Sequence, residues 1–136
     1  MSSNPGPAKT DPARAPSARR VLLLAGPAPL LLRMGEIVRS VERVQLVGSY
    51  TETLDVVDWA MWDREGWHLA YVDLTLPGSD EAVRRLLATR RPGVVVGVVD
   101  HLWREVREEA AKIGVHHIVE KGDLIALRDD LERRVR

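Results

Sequence analysis

The sequence predicts an α/β fold, a five-stranded parallel sheet doubly wound by helices, with strand order 2-1-3-4-5. Three observations carry this. Short apolar runs alternate five times with stretches whose apolar residues recur every three to four positions. The links between them are short, and short βα links give right-handed crossovers, parallel strands and helices on both faces. Five βα units are too few for a closed barrel, which takes eight, and they fit the open 2-1-3-4-5 order.

Residues 1–19 hold Pro5, Pro7, Pro12 and Pro16 among Ala, Ser and Gly, with no apolar period, and read as a disordered tail. The ordered domain is expected over residues 20–136. Arg20 to Ala25 is a continuous apolar run, the mark of a strand buried on both faces. Gly26-Pro27-Ala28-Pro29 forms the loop after it. Leu30, Met34, Ile37, Val38 and Val41 then recur at helical spacing. Val44, Leu46 and Val47 mark the second strand. Ser49 with Glu52 reads as a capping box opening a second helix, with Leu54, Val57 and Ala60 or Met61 inward.

Asp63 to Gly66 closes that helix. Trp67 to Asp73 is the third strand, followed at once by the turn Leu74-Thr75-Leu76-Pro77-Gly78. Ser79 is placed to cap a third helix that turns Val83, Leu86 and Leu87 inward. Val94 to Val99 is the clearest strand, apolar throughout and largely β-branched. Asp100 is the expected cap of a fourth helix with Trp103, Val106, Ala110 and Ile113 on its inner face. Gly114 stands at the usual C′ position. Val115 to Val119 is the fifth strand, leading to Glu120-Lys121. Asp123 opens a last helix with Leu124, Leu127, Leu131 and Val135 inward. The arrangement is (βα)5, or flavodoxin-like.

Composition narrows the function. The 20 Lys+Arg balance the 20 Asp+Glu, so the electrostatic footprint of a nucleic-acid binder is missing. With no cysteine there is neither thiol chemistry nor a disulfide. No apolar run approaches the roughly 18 residues of a membrane span, and Leu30-Leu31-Leu32 is too short for a signal-peptide core. A cytoplasmic protein is expected.

In such sheets the carboxyl ends of the strands face one crevice. They deliver Ala25-Gly26, Asp73-Leu74-Thr75, Val98-Val99-Asp100 and Glu120-Lys121 there. Asp73 and Lys121 both end strands, so an ion pair between them is geometrically natural. His116-His117 is not a metal pair, because neighbouring strand residues point to opposite faces; one is expected half-buried and one exposed. The Gly26 to Pro29 loop lacks both G-x-G-x-x-G and the Walker lysine, which counts against a small nucleotide- or flavin-binding domain. Trp59 and Trp62 are expected to pack at the core margin, and an exposed one would suggest a partner surface.

Buried strands ending in Asp73 and Lys121, with the Asp-x-x-x-Pro-Gly turn from Asp73 to Gly78, resemble the receiver domain of two-component response regulators. The likeness runs from Arg20 to Arg134. It rests on Arg20–Leu24, Asp73–Gly78, Val94–Val99 and the stretch from Ala110 to Lys121. The resemblance implies that Asp73 is a candidate phosphoacceptor and Lys121 a candidate phosphate contact. It also implies a signalling domain in a phosphorelay, with a histidine kinase or downstream signalling protein as partner, and the Gly66-Trp67-His68-Leu69-Ala70 lead-in resembles that of stand-alone receivers.

The rest of the family pattern is missing. The acidic pair that holds Mg²⁺ falls on Ala25 and Gly26, leaving Asp73 and the Thr75 carbonyl as the only metal donors. No cofactor is expected, and Mg²⁺ at most weakly, since Mg²⁺ sites rest on carboxylates with phosphate oxygens and waters. The switch positions fall on Val98, where the family has a hydroxyl, and Ile118, where it has an aromatic ring. Two readings of Asp73 stand side by side: a phosphoacceptor, or a structural carboxylate in a phosphorylation-independent pseudo-receiver that works by protein contact. Asp100 lies near enough to replace a lost carboxylate, although an N-cap is its simpler role. The fourth helix, fifth strand and last helix carry Arg104, Arg107, Glu108, Glu109, Arg128, Asp129 and Asp130. Such a mixed-charge face suits a second copy of the chain or a solvated surface equally well.

Overall fold

The computed structural model describes residues 18–136. The expected tail lies outside them except for Ala18 and Arg19, and Arg19 already belongs to the first strand. The elements are β1 (Arg19–Leu24), α1 (Ala28–Ser40), β2 (Val44–Tyr50), α2 (Thr53–Trp62), β3 (Leu69–Asp73), α3 (Ser79–Leu87), β4 (Val94–Val99), α4 (Arg104–Lys112), β5 (His117–Glu120) and α5 (Leu124–Arg134). The five strands are parallel and lie in the order β2-β1-β3-β4-β5, as the sequence predicts.

Alternation along the strands feeds two cores. Val21, Leu23, Tyr71, Val96 and Val98 pack with Met34 and Val38 of α1 and Leu127 and Leu131 of α5. Leu22, Leu24, Ala70, Val72 and Val95 pack with Val56 of α2, Val83 and Leu86 of α3 and Ala110 of α4. β1 and β3 lie inside the sheet with helices on both faces, which is why they read as unbroken apolar runs. The strand ends are thereby fixed along one edge, and that edge holds Asp73.

Several local expectations give way to longer-range pairing. Ser49 does not cap α2; it stays in β2 beside Leu23 of β1, and Glu52 takes the N-cap. The core face of α2 is Val56 and Ala60, whereas Leu54, Met61 and Trp62 are exposed. This helix has apolar residues on more than one side, so spacing alone does not choose between them. At α3 the N-cap is Gly78, whose φ of 77° suits glycine, and the Ser79 hydroxyl instead donates to the Leu74 carbonyl at 3.2 Å. α4 starts later than Asp100, at a Trp103 N-cap, and Trp103 points outward, stacked on His101 with ring centroids 4.3 Å apart. Asp123 does cap α5, accepting from the Ala126 N–H at 3.0 Å.

β5 starts at His117. Val115 follows the left-handed Gly114 and buries its side chain against the α4 end. His116 therefore precedes the strand, the two side chains do not alternate across the sheet as expected, and both histidines are exposed.

Candidate functional site

Asp73 ends β3 in the middle of the sheet, where its side chain has no exposure to solvent. A buried carboxylate needs donors, and four converge on it. Oδ1 accepts from the Thr75 N–H at 3.0 Å and the Thr75 hydroxyl at 2.6 Å. Oδ2 accepts from the Gly26 N–H at 3.2 Å and pairs with Lys121 Nζ at 2.7 Å. Lys121 Nζ also donates to the Thr75 hydroxyl at 3.1 Å, closing a loop of three side chains. The lysine is delivered by the turn after β5, where its own N–H donates to the Val99 carbonyl at 2.6 Å.

The structure thus joins Asp73 and Lys121 as their positions suggest and adds Thr75 and Gly26 as direct partners. Thr75 enters through its N–H and hydroxyl. The signal for this was local: an Asp side chain readily accepts from the backbone two residues on. Ala25 is buried in the core beneath α1. Val98 lies in the core under α1 and α5, while Ile118 packs in the opposite core. On alternation, Val99 is the β4 residue on the Ile118 side, and it lines the cleft beside Thr75 and Asp100. Neither valine carries a hydroxyl. Asp100 is exposed and neither caps α4 nor bonds to Asp73 among the described contacts.

The donor set does not fit Mg²⁺. A hard cation takes oxygen ligands, yet both Asp73 oxygens face hydrogen-bond donors and one of these is an ammonium. Ala25 and Gly26 offer no side-chain oxygen. Among the described residues, no three His, Cys, Asp or Glu side chains come together to hold a metal.

A second polar network lies under α5. Asp130, expected on the mixed-charge face, is buried. It accepts from the Tyr71 hydroxyl at 2.7 Å, the Arg133 guanidinium at 2.9 Å and Arg134 Nε at 2.8 Å. Burial first, then the Asp130 charge and hydrogen bond, push the Tyr71 phenol far above its ordinary pKa.

At the opposite edge of the sheet, His68 Nδ1 accepts from the Arg20 N–H at 2.8 Å. Burial, then the Arg19 and Arg20 charges, hold His68 below the ordinary histidine value. Protonation would set a second N–H against the Arg20 N–H. The stability from this contact is intact above about pH 6.5, where the unfolded imidazole is neutral, and is lost as pH falls toward the lower folded-state value. Thermal melts from pH 7.5 to 5.5 should show this fall, and His68→Gln should flatten it.

The crevice and doubly wound sheet define a class, the open α/β domain with its functional groups at the carboxyl edge. Within that class the chain has the receiver fold of response regulators. It superposes on the response regulator domain of Thermotoga maritima CheB with a TM-score of 0.72, covering 88% of this chain and 94% of that one at 19% identity. A CheY-like receiver domain protein from Methanospirillum hungatei gives the same TM-score and coverage at 15% identity. CheY6, solved with the P1 domain of CheA3 from R. sphaeroides, gives 0.67 at 17% identity, covering 87% and 94%. No family model and no curated protein matches the sequence. The likeness is therefore one of fold. No helix among the described residues is long and apolar enough to cross a membrane.

Proposed function

We propose that this chain is a receiver-fold signalling domain that acts by protein–protein contact and does not run a phosphorylation cycle at Asp73. The observation that carries this reading is the closed carboxylate: Asp73 is fully buried and both its oxygens are engaged by Lys121, Thr75 and the Gly26 N–H. A phosphoacceptor must present a free oxygen to phosphorus, and the developing charge must be met by a cation. Here the oxygens are occupied and the metal carboxylates are replaced by Ala25 and Gly26. Lys121 then acts as the permanent counter-ion of Asp73, and the pair holds the crevice in one shape. The partner class is a signalling protein such as a kinase. This agrees with the CheY6 relative, which was solved in complex with a CheA3 domain.

Beryllium fluoride, a phosphoryl mimic, tests the reading. With Mg²⁺ and fluoride present, the amide resonances of Gly26, Thr75 and Lys121 should not move saturably. Saturable shifts that vanish in Asp73→Asn would instead assign Asp73 as phosphoacceptor and Lys121 as the phosphate contact.

A further inference from the structure

We infer that the edge of the sheet opposite Asp73 holds a binding site for a small organic polyanion, a phosphorylated compound with an apolar part. The amino ends of β3, β4 and β5 and the end of α5 surround an open cleft of about 770 Å³, within the size range of small-molecule sites. Its rim carries Arg19, Arg91, Arg133, Arg134, His68 and His117. In a chain of zero net charge, that gathering on one edge calls for a cause.

Part of it is structural. Helix ends bring partial negative charge to their C-termini, and Arg133 and Arg134 in the last turn of α5 meet that charge and the Asp130 carboxylate. Arg19 and Arg91 are not among the partners of Asp130. Arg19 opens β1, Arg91 lies beyond the end of α3, both are exposed, and no carboxylate pairs with either among the described residues. The one acidic residue on the cleft among the described residues, Glu65, is engaged by Arg20 at 2.7 Å.

His68 adds a neutral donor. Its Nδ1 is taken by the Arg20 N–H, so the neutral ring carries its proton on Nε2. Two guanidiniums with no carboxylate partner among the described residues and a fixed imidazole N–H give the cleft an excess of donors suited to phosphate or carboxylate oxygens. Leu69, Val94 and Val135 supply the apolar wall.

The test is a titration of the full chain with inorganic pyrophosphate and with ATP, at constant ionic strength, followed by amide resonances. Saturable shifts are expected at His68, Gly93, Val94 and His117, with ATP the tighter ligand. Arg19→Ala combined with Arg91→Ala should weaken binding at least tenfold, and Arg91→Gln alone should weaken it less. These positions are exposed, so a melt unchanged from the parent confirms that the variants fold. Shifts reproduced by chloride, an unchanged affinity in the double variant, or a response confined to Gly26, Thr75 and Lys121 would each overturn the site. Equal affinity for the two probes would overturn its apolar part. Because the two sites occupy opposite sheet edges, failure here leaves the reading of Asp73 untouched.

Discussion

Replacing Lys121 with Met is expected to destabilise the domain by on the order of 3–5 kcal/mol, the usual result of stranding a buried charge. Asp73 would keep three of its donors, the Gly26 N–H and the N–H and hydroxyl of Thr75. It would lose the only cation that pairs with it among the described residues, and at zero exposure water cannot take that place. The lower half of the range is expected because those three donors remain. Neutralising the carboxylate in the same background should reverse much of the loss. Lys121→Met with Asp73→Asn should therefore be more stable than Lys121→Met alone, a coupling that urea denaturation of the four proteins would measure directly. A Lys121→Met variant as stable as the parent would mean that the pair is not what holds this carboxylate in the sheet.

The second large effect concerns Asp130. Asp130→Ala leaves the Tyr71 hydroxyl buried without an acceptor and removes two charge-assisted bonds, from Arg133 and Arg134. A loss of about 3 kcal/mol is expected, the upper end of the cost of an unsatisfied buried group. Tyr71→Phe should cost only about 1 kcal/mol, because Asp130 keeps both arginines. The network also has an alkaline signature. The Tyr71 phenol is held protonated in the fold, so its contribution is intact below about pH 10, the ordinary tyrosine value, and is lost as pH rises above it. Equilibrium unfolding between pH 9 and 11 should show this decline, and Tyr71→Phe should lessen it.

The two networks differ in how visible they are in the sequence. Asp73 and Lys121 can be paired on paper because each ends a strand and parallel strands share an edge. Asp130 cannot. It sits among Asp129, Glu132 and three arginines on what reads as the mixed-charge outer face of an amphipathic helix, and its partner Tyr71 is 59 residues away on β3. Only the packing of α5 across the sheet brings them together. The same holds for His68, whose acceptor role depends on β1 lying beside the start of β3.

Helix starts fail for a related reason. Ser49, Ser79 and Asp100 are all sound caps by residue type. Sheet pairing keeps Ser49 extended, a left-handed Gly78 opens α3 one residue earlier, and α4 begins only after Trp103. The runs of β1, β3 and β4 were legible because burial on both faces leaves no polar alternation to confuse them, whereas the order came only from matching five βα units to the doubly wound pattern. Thr75 was legible in part. The Asp-x-Thr spacing carries a known local bond, but the receiver likeness assigns that position to its carbonyl and so draws attention from the side chain.

The central claim, that Asp73 is a closed structural carboxylate, is tested most directly by intact mass. The full chain is incubated with a small-molecule phosphodonor, with and without Mg²⁺, beside Asp73→Asn and Thr75→Ala. No phosphate adduct is expected on the parent at any Mg²⁺ concentration, with the protein folded throughout. An adduct on the parent that is absent from Asp73→Asn would contradict it and return the domain to the phosphorylation cycle.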